Sequence, residues 1–346
     1  MIRLGTKLTY NDLNITFHSK MKFLLYGKGW IGLQVAELLQ KDGDEVAWGK
    51  ERVDDVEKVE IELREVKPDR VMCMIGRTHS ATCATIDCLE SKDMLATNVK
   101  DNLFAPVSLA LLCQKVGIHM ASIATGCIFC YDEAHTIGGQ GFTPSDVPNF
   151  FGSSYSVVKG FTDRLLHQIP CLTFRIRMPI SGTSSGRDFI TKISKYQKIC
   201  SIENSMSYLP SLLPVMIDLS RKSHLGVINM TNPGTICHNR VLELYKEIVD
   251  PGFMWENFSE EEQAKILAAG RSNNLLDTAF LEEEYPEVPG IEEAVVLALK
   301  AMRDEKESAD ASGCKCTLDT CVCSSDKKCC VDCSCSSTSC CFTETQ

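Results

Sequence analysis

The chain has 346 residues, with 36 basic against 46 acidic side chains, a net charge of −10 and 44% hydrophobic residues. That is enough apolar material for one large domain or two modest ones, which excludes a wholly disordered chain. The acidity gives no long-range pull toward nucleic acid or anionic lipid, and no local basic patch replaces it. Nineteen cysteines stand out: nine are scattered from Cys73 to Cys237, and ten crowd between Cys314 and Cys341.

Residues 1–20 mix Arg3, Lys7, Asp12 and His18 without a signal-like apolar core, so they read as an N-terminal extension of a cytoplasmic protein, with Met21 an alternative start. No run approaches the roughly 20 apolar residues of a membrane helix, and the scattered cysteines read as reduced thiols. Strand-length apolar runs then alternate with helical patterns. They comprise strand Lys22–Tyr26, helix Ile31–Gln40, strand Glu45–Trp48, strand Arg70–Ile75 after a polar stretch, helix Asn98–Lys115, strand His119–Thr125, helix Tyr155–His167 and strand Cys171–Arg177. Strands apolar on both faces in βαβ alternation predict an α/β, Rossmann-like, doubly wound parallel sheet over 21–180. Beyond Ser181 come strands Lys198–Cys200 and Gly226–Asn229 and helices Pro210–Arg221, Val241–Ile248, Glu260–Ala268 and Ile291–Met302. They predict a smaller C-terminal substrate-binding lobe over 181–305, interleaved with the first domain. The charged, small residues 303–313 read as a linker, and 306–346 as linker plus a Cys-rich, disordered tail.

Directly after the first strand comes Gly27-Lys28-Gly29-Trp30-Ile31-Gly32, opening a helix. Gly27 makes the tight turn, Gly29 lets the backbone approach a pyrophosphate, and Gly32 allows close helix–strand contact, so Gly27 to Gly32, with Trp30 and Ile31, form a dinucleotide cradle. At the end of the second strand, Lys50 and Arg52 flank Glu51; two cations suit a 2′-phosphate and point to NADPH, with NADH the alternative. Tyr155 and Lys159, four apart, share one helix face. A neighbouring ammonium favours a phenolate, so Lys159 is expected to hold the Tyr155 phenol down. Upstream, Thr125 ends a strand at the sheet edge where open α/β folds bind ligands.

These features in this order resemble the extended short-chain dehydrogenase/reductases. The strings Tyr26-Gly-Lys-Gly-Trp-Ile-Gly32, Ala124-Thr-Gly-Cys-Ile-Phe129, Arg175-Ile-Arg-Met-Pro-Ile180, Phe189-Ile-Thr-Lys-Ile-Ser194, Thr231-Asn-Pro-Gly234 and Arg271-Ser-Asn-Asn274 are similar to the bifunctional nucleotide-4-keto-6-deoxy-glucose 3,5-epimerase/4-reductases of rhamnose synthesis. The likeness runs from about residue 21 to 305, with a glycine loop one residue shorter than the family's GxxGxxG. It implies a UDP- or dTDP-linked 4-keto sugar as substrate. The keto group acidifies C3 and C5, so epimerisation needs a base on one face and an acid on the other. The resemblance implies Cys127 and Lys192 for these roles; Tyr155, Thr125 and Lys159 then carry reduction at C4. It also implies Gly76 and Asn98 on the cofactor side, and Arg77, Arg177 and Asn204 toward the nucleotide end. The bland alternatives are a packed thiol at Cys127 and a solvated face for Lys192, which shares its stretch with Lys195 and Lys198.

His79, His119, His135 and His238 show no metal-ligand spacing, and no metal site is expected in the body. In the tail, C-x-C and C-C pairs suit clusters of Zn²⁺ or Cu⁺, with S-acylation a rival. A homodimer is compatible with the sequence. Two other functions compete: a 4-keto reductase alone, with Cys127 structural, and a non-catalytic reductase-fold regulatory subunit of the kind that pairs with methionine adenosyltransferase.

Overall fold

The computed structural model describes residues 19–80 and 83–311; the tail cysteines, their metal and disorder readings, and residues 1–18 lie outside the described residues. Six parallel strands form the main sheet: β1 (Lys22–Tyr26), β2 (Glu45–Trp48), β3 (Arg70–Cys73), β4 (His119–Thr125), β5 (Leu172–Ile176) and β7 (Gly226–Asn229), in the order β2-β1-β3-β4-β5-β7. The strand order reverses at β1 and β3, which opens a crevice beyond their C-terminal ends. Leu24 pairs with Ala47 and Val71, and Thr125 with Ile176, so the glycine loop and Thr125 leave the same edge of the sheet.

Both faces are covered, because each strand is apolar on both sides. On one face α1 (Trp30–Lys41) and α7 (Leu209–Arg221) bury Val35, Leu39, Leu212 and Met216 against Phe23, Leu25 and Phe174. On the other, α2 (Val56–Val66) and α4 (Ala105–Val116) bury Val59, Leu63 and Leu109 against Leu24 and Val71. A separate core, from Ile180 and Ile190 to Leu299 and Met302, gathers α6 (Phe189–Ile193), α8 (His238–Ile248) and α11 (Ile291–Ala311). Strands β6 (Lys198–Ile199) and β8 (Glu256–Asn257) pair beside it. Strand β7 and helix α7 return to the main sheet, so the chain crosses back after residue 181.

Several boundaries differ from the sequence reading. Helix α2 fell in the polar stretch because VEKVEIELREV buries only one side; Asp55 caps it by accepting from the Lys58 amide, and Lys67 ends it at φ 48°. The stretch read as one helix over 98–115 is α3 (Leu95–Val99), a π-helical turn over Lys100–Phe104, then α4. The segment read as a linker from 303 begins as helix, since α11 continues to Ala311.

Helix α5 (Ser154–Leu166), which carries Tyr155 and Lys159, is fastened to β5 by a buried ion pair. Arg175 Nε and Nη2 donate to Asp163 Oδ1 and Oδ2 at 2.8 and 2.7 Å, and the guanidinium lies 5.0 Å from the Phe129 ring centroid. Removing one partner leaves the other charge buried and unpaired. Asp163→Asn should therefore destabilise the protein by about 3–5 kcal/mol, read as a fall in the urea midpoint. Replacing both residues by apolar ones should recover most of that loss; if it does not, the pair is not what Asp163 contributes.

Candidate active site

The glycine loop folds for two different reasons. Gly27 has φ +97°, and a Cβ there would stand 2.6 Å from the Met74 carbonyl carbon; a Cβ on Gly32 would stand 2.4 Å from the Gly27 carbonyl oxygen. Packing alone requires those two glycines. Gly29 is different, because a Cβ there would meet nothing within 4 Å. Gly29 is also the N-cap of α1 and offers no capping side chain, so the amides of the first turn face that open space. The cradle therefore fits an anion at the helix N-terminus, as a dinucleotide pyrophosphate requires.

At the end of β2, Glu62 accepts from the Tyr26 hydroxyl and the Lys50 amide, both at 2.7 Å, and so holds the tips of two strands together. Arg52 is 72% exposed and pairs with Asp54 at 3.0 Å. Lys28 stands 6.0 Å over the Trp48 ring. Among the described residues neither Lys28 nor Lys50 makes an ion pair, so no carboxylate neutralises these two lysines at this mouth.

The chemistry-bearing side chains meet beyond β4. Ser153 caps α5 by accepting from the Ser156 amide at 3.0 Å and donates to the Ser156 hydroxyl at 2.8 Å. Ser156 in turn donates to the Cys127 carbonyl at 2.7 Å. The first turn of the helix is thus tied to the loop after Thr125. Thr125 Oγ1 accepts from the Cys127 amide at 3.1 Å and lies close enough to the Tyr155 phenol to act on its acidity. Burial pushes the Tyr155 phenol up; a negative charge on Cys127 pushes it further, and the Thr125 hydroxyl opposes both.

Lys159 departs from expectation. It is buried and makes no hydrogen bond to protein among the described residues. Burial pulls its ammonium down, opposed by the charges of Cys73 and then Asp163. It is not among the groups acting on Tyr155, whose acidity is set by burial, Cys127 and Thr125. A buried ammonium with no protein acceptor fits a ribose hydroxyl of a bound dinucleotide.

Two asparagines join this cluster to the loop after β3. Asn98 Nδ2 donates to Ser154 Oγ at 2.9 Å and Asn98 Oδ1 accepts from Asn102 Nδ2 at 2.8 Å; Asn102 Oδ1 accepts from the Arg77 amide at 2.8 Å. Asn102 lies in the π turn, and its carbonyl accepts from Thr162 Oγ1 at 2.7 Å. Asn98 thus acts through Ser154, while Gly76 and Arg77 are held at the crevice by Asn102. Neither Asn102 nor Ser156 carries a sequence signal that could have marked it, whereas Ser153 has the form of an N-cap.

The nucleotide-end residues need correction. Arg177 is 1% exposed, and its five N–H groups are spent on the Gly126, Ser205 and Ser272 carbonyls, Ser272 Oγ and Asn204 Oδ1. Asn204 also accepts from the Asn274 amide and donates to Ile202 and Asn273. Neither has a donor left for substrate; they are a buried hub. The Arg77 guanidinium is engaged at 2.5 Å by Asp101. Lys192 stands apart from Lys195 and Lys198, which are exposed. Burial and the Arg187 charge pull its ammonium down, Asp188 opposing. It makes no contact with Cys127 among the described residues.

The two kinds of glycine separate in experiment. Gly29→Ala should leave the melting temperature within about 1 °C and weaken dinucleotide binding about tenfold or more. Gly32→Ala should lower the melting temperature by several degrees, about 1–3 kcal/mol of overpacking. Calorimetry and dinucleotide titration check both; equal dinucleotide affinity in Gly29→Ala and the parent would remove the cradle.

No family model matches the chain. Protein L780 of Acanthamoeba polyphaga mimivirus is 52% identical over 274 residues, 78% of this chain and 95% of that protein. Its crystal structure, described as a UDP-rhamnose synthase, superposes with a TM-score of 0.79 at 49% identity, covering 82% of this chain and 100% of L780. The bifunctional dTDP-4-dehydrorhamnose 3,5-epimerase/reductase of Arabidopsis thaliana is 40% identical over 290 residues, 82% of this chain and 94% of that enzyme. A dTDP-4-dehydrorhamnose reductase of Clostridium acetobutylicum, at 18% identity and TM-score 0.66 over 83% of this chain and 100% of that one, shares the fold. With the Thr125, Cys127 and Tyr155 cluster on a doubly wound sheet, these likenesses identify the chain as a member of the rhamnose-forming epimerase/reductases of the extended short-chain dehydrogenase/reductase superfamily.

Proposed function

We propose that this protein converts a nucleotide-4-keto-6-deoxy-glucose to the nucleotide-rhamnose by epimerisation at C3 and C5 followed by NADPH-dependent reduction at C4. The observation that carries it is Thr125 at the strand end, its hydroxyl accepting from the Cys127 amide, with the Tyr155 phenol near enough that both Cys127 and Thr125 act on its acidity. Cys127 takes the proton from C3 or C5, the charge delocalises onto the C4 keto oxygen, and a proton returns on the opposite face from Lys192. The half-buried, weakened ammonium of Lys192 supports the acid role.

While Cys127 is negative, Tyr155 is held protonated, so the phenol keeps its proton for the later step. NADPH supplies the hydride. Tyr155 then donates to the alkoxide oxygen, Thr125 orients that oxygen, Lys159 holds the ribose, and Lys28 and Lys50 meet the 2′-phosphate. Gly76 borders the cofactor, and Arg77 borders the nucleotide end. The UDP sugar is the first substrate to assay, since a close relative's structure is described as a UDP-rhamnose synthase.

No helix among the described residues is long and apolar enough to cross a membrane. The nine free thiols among them support a reducing compartment, the cytoplasm. Exposed Leu95, Val99, Phe104, Leu111, Phe161 and Leu165, on adjacent helical segments, support a homodimer. Binding of Zn²⁺ or Cu⁺ by the tail is proposed on its sequence alone.

Incubation with UDP- and dTDP-linked keto sugars in deuterated water without NADPH should place deuterium at C3 and C5. Cys127→Ser should abolish that exchange yet still reduce the epimerised sugar. Tyr155→Phe should exchange normally and lose about 10²–10⁴-fold in reduction. Absence of deuterium at C3 and C5 in the parent would end the epimerase assignment, leaving a reductase, and exchange at the parent rate in Cys127→Ser would remove Cys127 as the base.

A further inference from the structure

Residues 83–90 form a crossbar between helix α5 and the segment at 269–271. Glu90 Oε1 accepts from the Ser154 amide at 2.7 Å, at the start of the helix that carries Tyr155. Asp87 accepts from Arg271 Nη2 at 2.5 Å and from the Ala269 amide at 2.9 Å. Against the burial that would raise it, these bonds and the Thr85 hydroxyl, 2.6 Å away, hold the Asp87 carboxyl down to about 2.

Two cysteines sit within this crossbar. Both donate to one acceptor, the Thr85 carbonyl, Cys83 Sγ at 3.4 Å and Cys88 Sγ at 3.1 Å, so the two sulfurs sit on the same oxygen and each acts on the other's acidity. Both are free and only half-buried. A backbone hydrogen bond at Thr85 holds the Cys83 thiol below its usual range, while burial and the Cys83 charge push Cys88 up. One sulfur is thereby set up as nucleophile and its neighbour as the thiol that resolves it. The rest of the molecule offers no use for this pair, since the site chemistry assigned above draws on neither.

We propose that Cys83 and Cys88 are an oxidisable dithiol that a hydroperoxide converts to an intramolecular disulfide. The Cys83 thiolate attacks the peroxide oxygen, giving a sulfenic acid and, with one proton, the first water when the oxidant is hydrogen peroxide. Cys88 then attacks that sulfur, the S–S bond forms, and the hydroxyl leaves as a second water. Two thiols lose two electrons and the peroxide gains them. Bonding the sulfurs to each other takes both from the Thr85 carbonyl. Thr85 holds Asp87, and Asp87 holds Arg271, so the change is transmitted to the seam beside α5.

The test treats the full chain with hydrogen peroxide, alkylates it after unfolding, and maps the tryptic peptide 78–92, whose only cysteines are Cys83 and Cys88. The peptide should escape alkylation and run about 2 Da light. Turnover should fall, by up to about 100-fold if the seam shifts by an ångström, and return with dithiothreitol. The Cys83→Ser/Cys88→Ser variant should keep its turnover through the same treatment. Full alkylation of both cysteines after peroxide would overturn the proposal, as would an equal loss of turnover in the double variant, which would place the damage elsewhere. The turnover measurement rests on the function proposed above; the peptide mass does not. An untreated protein with no turnover would therefore fail that function while the mass alone decides the dithiol.

Discussion

A buried guanidinium with no carboxylate beside it holds the active-site end of this molecule together. A charge taken out of water must find replacements for every hydrogen bond it gives up. Arg177 finds them in carbonyls and short polar side chains from the turn before Cys127, from residues 204–205 and from Ser272. Three stretches far apart in sequence are therefore fixed relative to one another by one side chain. No single stretch can shift without stranding a donor in the interior. Cys127 follows Gly126 directly, so its backbone position is set from the same hub.

A second constraint is electrostatic. Burial makes an anion on Tyr155 unfavourable, and a charge on Cys127 makes it more so. In the function proposed above, proton abstraction by the thiol and proton donation by the phenol would then share a small space without competing. The serine chain from Ser153 through Ser156 to the Cys127 carbonyl ties the first turn of α5 to the Cys127 backbone. Lys159 lies near Cys73 and Asp163, and it is not among the groups acting on Tyr155.

The sheet was legible from its short apolar runs. Strands β1, β2, β4 and β7 begin and end where their apolar runs do. Helix α2 was not, because charge dominates its composition and only Val59, Glu62 and Leu63 are buried. The site residues divide in a similar way. Thr125, Cys127 and Tyr155 belong to short local strings that betray their chemistry. Arg177 and Asn204 also belong to such strings, but residue type does not say whether a donor is already satisfied; that depends on Ser272 and Gly126, which only the fold brings near. Lys192 looked like one lysine of three, and only its burial sets it apart. Asn102 was hidden most completely, since its role depends on a helical turn with a period the sequence pattern does not reveal.

That turn acts as a phase adjuster. A π turn accommodates one residue more than an α turn, so the helical rod over 95–116 is composed of two halves offset by about 100°. The later half is oriented by the core through Leu109 and Leu112, and the earlier half by Asn98 reaching Ser154. An uninterrupted α-helix could satisfy one of these orientations but would rotate the other out of place. Deleting a single residue between Lys100 and Phe104 would leave the sheet's cover intact while swinging Asn98 away from α5. In comparing related chains, a one-residue gap at this point is therefore a change in the active site and not a neutral difference in helix length.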